Sequence, residues 1–146
     1  MFAGSHLLSI DEKGRLAIPA RFRTQLADAH GQQLVITMGP KPCLEIYPLA
    51  TFRGIAEQIQ NMEDRRTADK LKFFFIGRAV EAELDKQGRV VLPALLRKQA
   101  KLDGTVVLVG QITRFDVWAE DQWNEMFGKQ GGKKEDLSEA FALLKR

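Results

Sequence analysis

Apolar and polar positions along this chain fall into two regimes, and both regimes recur. Short apolar runs at 33–38 and 43–47 are separated by Gly39-Pro40-Lys41-Pro42, and a similar pair occupies 105–109 and 114–118. Runs of this length, bounded by turn residues, predict strands joined as hairpins. In the later pair Phe115 and Val117 flank Asp116, an alternation that predicts a half-buried strand. Shorter strands are predicted at Ser5 to Ile10, Arg15 to Ile18, Ala79 to Leu84 and Arg89 to Leu92. The spacing then becomes helical. Phe52, Ile55, Ala56, Ile59 and Met62 share one stripe, which predicts a helical insert over about 50–75. Its pattern breaks at Glu63-Asp64-Arg65-Arg66, and a second helix carries Ala68, Leu71 and Phe75. Gln122 to Phe127 predicts a short helix, and Gly128 to Lys134 reads as a flexible linker. In the last dozen residues Leu137, Ala140, Phe141 and Leu144 fall on one helical face.

The recurrence is a true internal repeat. Residues 11–26, DEKGRLAIPARFRTQL, and 85–100, DKQGRVVLPALLRKQA, match at seven of sixteen positions at an offset of 74. The matches are Asp11/Asp85, Gly14/Gly88, Arg15/Arg89, Pro19/Pro93, Ala20/Ala94, Arg23/Arg97 and Gln25/Gln99. Downstream, residues 43–52 parallel 114–123 at an offset of 71, with Leu44, Ile46, Tyr47 and Phe52 opposite Phe115, Val117, Trp118 and Trp123. The organisation is a first module over 1–50, an insert over 51–75, a second module over 76–127, and a linker and tail over 128–146. A module of about 50 residues is marginal alone, so the two are expected to share one core.

Each module turns at Asp-x-x-Gly-Arg. Gly14 and Gly88 permit positive φ there, and Asp11 and Asp85 can accept hydrogen bonds from the turn's own amides. They can also orient Arg15 and Arg89. Pro19 and Pro93 suit the first position of the helices that run to about Leu26 and Ala100.

Composition narrows the picture. The 146 residues are 45% hydrophobic and 28% charged, a globular balance that excludes bulk disorder. Cys43 is the one cysteine and cannot pair within the chain; beside a proline at a strand start, it is expected to be buried rather than catalytic. No apolar run approaches the roughly 20 residues that a membrane helix needs. The N-terminus lacks a signal-peptide pattern, so a soluble cytosolic protein is expected. His6 and His30 have no ligand-spaced partner, no nucleophile elbow or phosphate loop occurs, and no metal, cofactor or catalytic site is expected. Phe73 to Phe75 are expected in the core or a subunit interface.

Net charge is only +3, but its location matters. Residues 11–26 carry +2 and residues 85–101 carry +4, so the rest of the chain sums to −3. Two matched positive segments on a repeated scaffold form an electrostatic footprint for a polyanion. Lys13 and Lys86 sit in the turns, one place out of register with each other, while Arg21 aligns with Leu95. Arg23 and Arg97 lie on the helices, where solvation or carboxylate pairing is the alternative to a nucleic-acid role.

The motif D-x-x-G-R-[aliphatic]-x-[aliphatic]-P-x-x-x-R resembles the AbrB-type swapped-hairpin DNA-binding module. Two copies, with the start MF-x-G followed by D-x-K-G-R, resemble the MraZ family of bacterial transcriptional regulators over residues 1 to about 127. The resemblance implies a β-rich α+β fold, a pseudo-two-fold, double-psi-like swapped-hairpin β-barrel with added helices. It also implies a homo-oligomeric ring. Such a ring binds short direct repeats in double-stranded DNA upstream of a division and cell-wall gene cluster, its own promoter included, mainly as a repressor in the cytoplasm and nucleoid. Arg15 and Arg89 would then contact DNA, supported by Lys13, Lys86, Arg21, Arg23 and Arg97. The competing readings are an oligomeric structural or adaptor protein, an enzyme on a double-psi barrel, and an RNA-binding module. The absence of an acid/base pair or nucleophile argues against the enzyme, clustered arginines against the adaptor, and the lack of an aromatic stacking motif against RNA.

Overall fold

A computed structural model describes residues 1–29, 31–127 and 134–146. His30 and residues 128–133, with most of the expected linker, lie outside the described residues. The first copy contains β1 (Ser5–Ser9), β2 (Arg15–Ala17), α1 (Ala20–Ala29), β3 (Gln33–Met38) and β4 (Leu44–Pro48). Helices α2 (Leu49–Gln60) and α3 (Arg65–Phe74) and a 3-10 turn (Ile76–Arg78) follow. The second copy contains β5 (Val80–Glu83), β6 (Arg89–Val91), α4 (Ala94–Gln99), β7 (Thr105–Gly110), β8 (Phe115–Ala119) and α5 (Glu120–Phe127), with α6 (Lys134–Ala142) beyond it. The expected strands and helices are therefore present, with ends displaced by up to three residues. The prolines sit one place earlier than expected. Pro93 is the residue before α4, with extended ψ, and Pro19 accepts from the amides of Phe22 and Arg23 at the start of α1.

The fold is α+β with antiparallel sheets. One sheet has the order β1-β7-β8-β4-β3-β5, and β2 and β6 form a separate two-stranded ribbon. The order is unchanged when each strand is exchanged for its repeat equivalent. At the sheet centre Glu45 faces Asp116, and at the ribbon centre Leu16 faces Val90. Both are pairs of equivalent positions, so a pseudo-two-fold axis passes through the two of them. The copies are interleaved: β1 pairs with β7 of the other copy, and β5 with β3.

Side chains from both copies fill one core between sheet and ribbon, among them Leu16, Phe22, Ile36, Leu92, Leu108 and Phe115. Burying each large side chain contributes roughly 1.5–3 kcal/mol. Phe2 joins this core, with its ring 5.3 Å from those of Phe22 and Phe115.

The outer face of the sheet is also covered. Val35, Tyr47 and Phe52 pack with Phe75 under α2, while Cys43, Val107, Val109 and Trp118 pack with Trp123 of α5. This corrects the half-buried reading of β8, which is buried throughout. Asp116 is tolerated there because Arg114 Nε donates to its Oδ1 at 2.8 Å. The same guanidinium lies 3.7 Å from Glu45, whose Oε1 accepts from Tyr47 Oη. Burial opposes the charge on Arg114, but the bond to Asp116 together with the charges of Asp116 and Glu45 outweighs it and raises its pKa. Cys43 is buried as expected, and burial pushes its thiol up to about 12.

The break between α2 and α3 is a capping problem solved by side chains. Asp64 accepts from the amides of Arg66 and Thr67 and from Thr67 Oγ1, satisfying donors at the start of α3. Arg65 Nη1 donates to the carbonyls of Gln60 and Met62, closing the end of α2. Phe75 is in the core as one of the two expected alternatives, whereas Phe73 and Phe74 are exposed. Among the described residues, no helix is long and apolar enough to cross a membrane.

Candidate nucleic-acid interface

The two Asp-x-x-Gly-Arg turns are built by local chemistry. Asp11 Oδ1 accepts from the amides of Lys13 and Arg15 at 2.9 Å each, and Oδ2 accepts from Arg15 Nε at 2.6 Å. Asp85 repeats this with the amides of Gln87 and Arg89 and with Arg89 Nε at 2.9 Å. Gln87, not Lys86, is thus the structural counterpart of Lys13. Bonds from the arginine amides first, and then from the guanidinium and the intervening amide, hold both carboxyls below their ordinary range. The turns are therefore intact at neutral pH, and they loosen only in acid, as pH falls through the lowered range of the two carboxyls.

Leu16 and Val90 point from the ribbon into the core, so their neighbours point out. Arg15 faces Val91 and Arg89 faces Ala17. The two arginines are diagonal neighbours on the outward face, roughly 7–8 Å apart between α-carbons. Each uses Nε on its aspartate, which fixes the planar fork.

Arg23 and Arg97 link the copies. Arg23 Nε donates to Ile18 O, and its side chain lies over Gly88 of the other turn, where a Cβ would sit 2.5 Å from Arg23 Cδ. Arg97 does the same with Leu92 O and Gly14, at 2.8 Å from its Cζ. Backbone bonds from Ile18 N to Gly88 O and from Leu92 N to Gly14 O tie the same segments. Two basic clusters result, each drawn from both copies. One holds Lys13, Arg15 and Arg97, the other Lys86, Arg89 and Arg23. Arg21 is exposed on the first turn of α1, where the second copy presents Leu95. The cross-copy role of Arg23 and Arg97 was not foreseen from sequence, although their matched spacing after each proline was the available signal.

This packing gives a stability prediction. Gly88 has φ +77°, and Ala there would add left-handed strain of roughly 1–2 kcal/mol and displace Arg23. Gly104, at φ +74°, has open space around its Cβ position and supplies the control. Gly88→Ala is expected to lower the melting temperature by several degrees more than Gly104→Ala, since about 1 kcal/mol moves a chain of this size by roughly 2–4 °C. Equal shifts would show that the arginine packing carries no energy.

A chain with two interleaved copies and one paired basic surface belongs to the class of internally duplicated α+β proteins with a cationic face. Comparison with known proteins gives the family. The family described as "MraZ protein, putative antitoxin-like" matches residues 1–74 and again residues 75–144, and the chain belongs to it. It is 40% identical over 146 residues to the transcriptional regulator MraZ of Pelotomaculum thermopropionicum, covering 99% of this chain and 97% of that one. It is 41% identical over 128 residues to the transcriptional regulator MraZ of Pseudomonas aeruginosa, covering 86% and 85%. The Moorella thermoacetica relative of the same name is 40% identical over 141 residues, covering 95% of each.

Proposed function

We propose that the protein is a sequence-specific regulator that reads double-stranded DNA with the outward face of the β2/β6 ribbon. The observation that carries this reading is the pair of carboxylate-oriented arginines, Arg15 and Arg89, on an exposed two-stranded ribbon. The major groove of B-DNA admits a two-stranded ribbon, and an arginine fork can hold guanine O6 and N7. Lys13 and Lys86 flank the ribbon as phosphate contacts, and Arg21, Arg23 and Arg97 add positive potential behind them. The relatives' shared name, transcriptional regulator, supports the same reading.

In this reading the ribbon closes the six-stranded sheet into a double-psi-like barrel, and the two modules act as one reading head. The protein works in the cytoplasm on the nucleoid, mainly as a repressor. It assembles as a homo-oligomeric ring on short direct repeats upstream of a division and cell-wall gene cluster that includes its own promoter.

The test is binding to duplex DNA from the protein's own upstream region, with a scrambled duplex and an RNA hairpin as controls. Tighter binding to the native duplex is expected, and equal binding to all three would overturn sequence reading. Each neutralised phosphate contributes about −0.9 to the slope of log K against log salt, so four contacts per subunit give about −3.6. Affinity unchanged between low and high salt would remove the phosphate contacts.

A further inference from the structure

The outward face of the β2/β6 ribbon carries two apolar side chains as well as its two arginines. Leu92 N donates to Gly14 O, and Ile18 N donates to Gly88 O. That alternation makes Arg15/Val91 and Ala17/Arg89 the non-hydrogen-bonded pairs of the ribbon, in which facing side chains lie closest. Each arginine therefore has one apolar neighbour directly across from it. For Arg89 the neighbour is Ala17, a single methyl group. For Arg15 it is Val91, a branched side chain that is 56% exposed. A strand with one face in the core ordinarily turns polar residues outward. Val91 breaks that alternation at the middle of the face, beside a guanidinium already fixed by its aspartate.

The same inequality continues on the helices. Arg97 of α4 lies over the first turn, in the cluster with Arg15, and α4 exposes Leu95 two residues before it. Arg23 of α1 lies over the second turn, in the cluster with Arg89, and α1 exposes Arg21 two residues before it. One end of the face thus combines Arg15 with Val91 and Leu95. The other combines Arg89 with Ala17 and Arg21. Both ends offer the same guanidinium fork, but one sets it in apolar surroundings and the other in cationic ones.

An apolar side chain in the major groove has one favourable partner among the base edges, the 5-methyl group of thymine. Against any other edge it strips water from donors or acceptors and gives nothing back. Side chains facing each other across a non-hydrogen-bonded pair have Cβ atoms about 4.5–5.5 Å apart, and bases along one strand are about 3.4 Å apart. Val91 therefore falls one or two base steps from whatever Arg15 holds. We infer that Val91 reads the methyl group of a thymine beside the guanine held by Arg15, and that Ala17, two methyl groups shorter, makes no equivalent contact at the other end. The consequence is direction. A two-fold reader mirrors itself in a palindromic site, whereas this pseudo-two-fold head has unequal ends and fits its site one way round. The inference rests on ribbon reading, and it adds the base that the apolar position selects.

The experiment is a scan of the duplex from the protein's own upstream region, using the full chain. Each thymine is replaced in turn by deoxyuridine, which removes the 5-methyl group and leaves base pairing intact. One thymine in each repeat, within two steps of a guanine, is expected to be sensitive, with affinity falling about fourfold when its methyl group is lost. Val91→Ala should bind the thymine and deoxyuridine duplexes equally, with wild-type circular dichroism as the control for folding. The wild-type scan needs no variant and is decisive by itself. Preference for the native over the scrambled duplex with indifference to every thymine methyl group would overturn the inference and leave ribbon reading standing. A methyl effect that persists undiminished in Val91→Ala would assign the contact to another residue. Two equally sensitive thymines, one at each end of a repeat, would overturn the unequal ends. Equal binding of native and scrambled duplexes would remove ribbon reading and this inference together.

Discussion

Severed between residues 74 and 75, the chain is expected to give two fragments that do not fold alone and that recover native structure when mixed. Each strand that begins a copy finds its sheet partner in the other copy's hairpin or across the ribbon. Fragment 1–74 keeps the β3/β4 hairpin but loses β7 from beside β1, β6 from beside β2 and β8 from beside β4. Core faces such as Leu34 to Ile36 and Val106 to Val109 would then open to water. The loss spans much of the buried surface, against a total stability of only about 5–15 kcal/mol for an ordinary domain. Circular dichroism of each fragment and of the equimolar mixture is the measurement. Two independently folded fragments with separate melting transitions would refute the shared core.

The second large effect concerns DNA. Arg15→Ala is expected to abolish discrimination between the native and scrambled duplex while leaving the fold intact. The ion pair with Asp11 is exposed, and such pairs contribute little stability, so the melting temperature should barely move. Loss of one arginine fork on a base edge costs about 1–3 kcal/mol, which multiplies when several copies engage one DNA. Arg15→Lys should retain part of the salt-dependent, non-specific binding, because it keeps the charge without the fork. Arg89→Ala should weaken binding less, since α1 carries exposed Arg21 two residues from Arg23 in the second cluster, where α4 carries Leu95 two residues from Arg97 in the first. A folded Arg15→Ala protein that binds like wild type would exclude this residue as a reader.

What the sequence conveyed well was local. The Asp-x-x-Gly-Arg turn is legible because its donors and acceptors lie within four residues of each other. The hairpins are legible from their apolar runs and turn residues. The swap is not, because nothing in the alternation of β1 says whether it pairs with β3 or with β7. Burial of Asp116 was hidden for a similar reason. An acid between two apolar residues looks like a solvent-facing position until α5 is placed over that face and Arg114 is seen to reach it. The aromatics at the end of α3 read as core or interface, but only the packing of Phe75 against Tyr47 and Phe52 separates this half-buried ring from the two exposed ones.

Arg114 also shows what joining both modules in one polypeptide makes possible. Its repeat equivalent is Cys43, and the pair flanks the axis where Glu45 faces Asp116. A dimer of identical modules must place the same residue at both positions. Two cysteines would leave two buried carboxylates without a counter-ion, and two arginines would force a second cation in beside Val107 and Trp118. An uncompensated buried charge costs several kcal/mol, so either symmetric solution is poor. A tandem gene escapes the constraint. It can mutate one side of its own axis at a time and settle on a single guanidinium shared by two acids, an arrangement that a self-complementary assembly cannot encode.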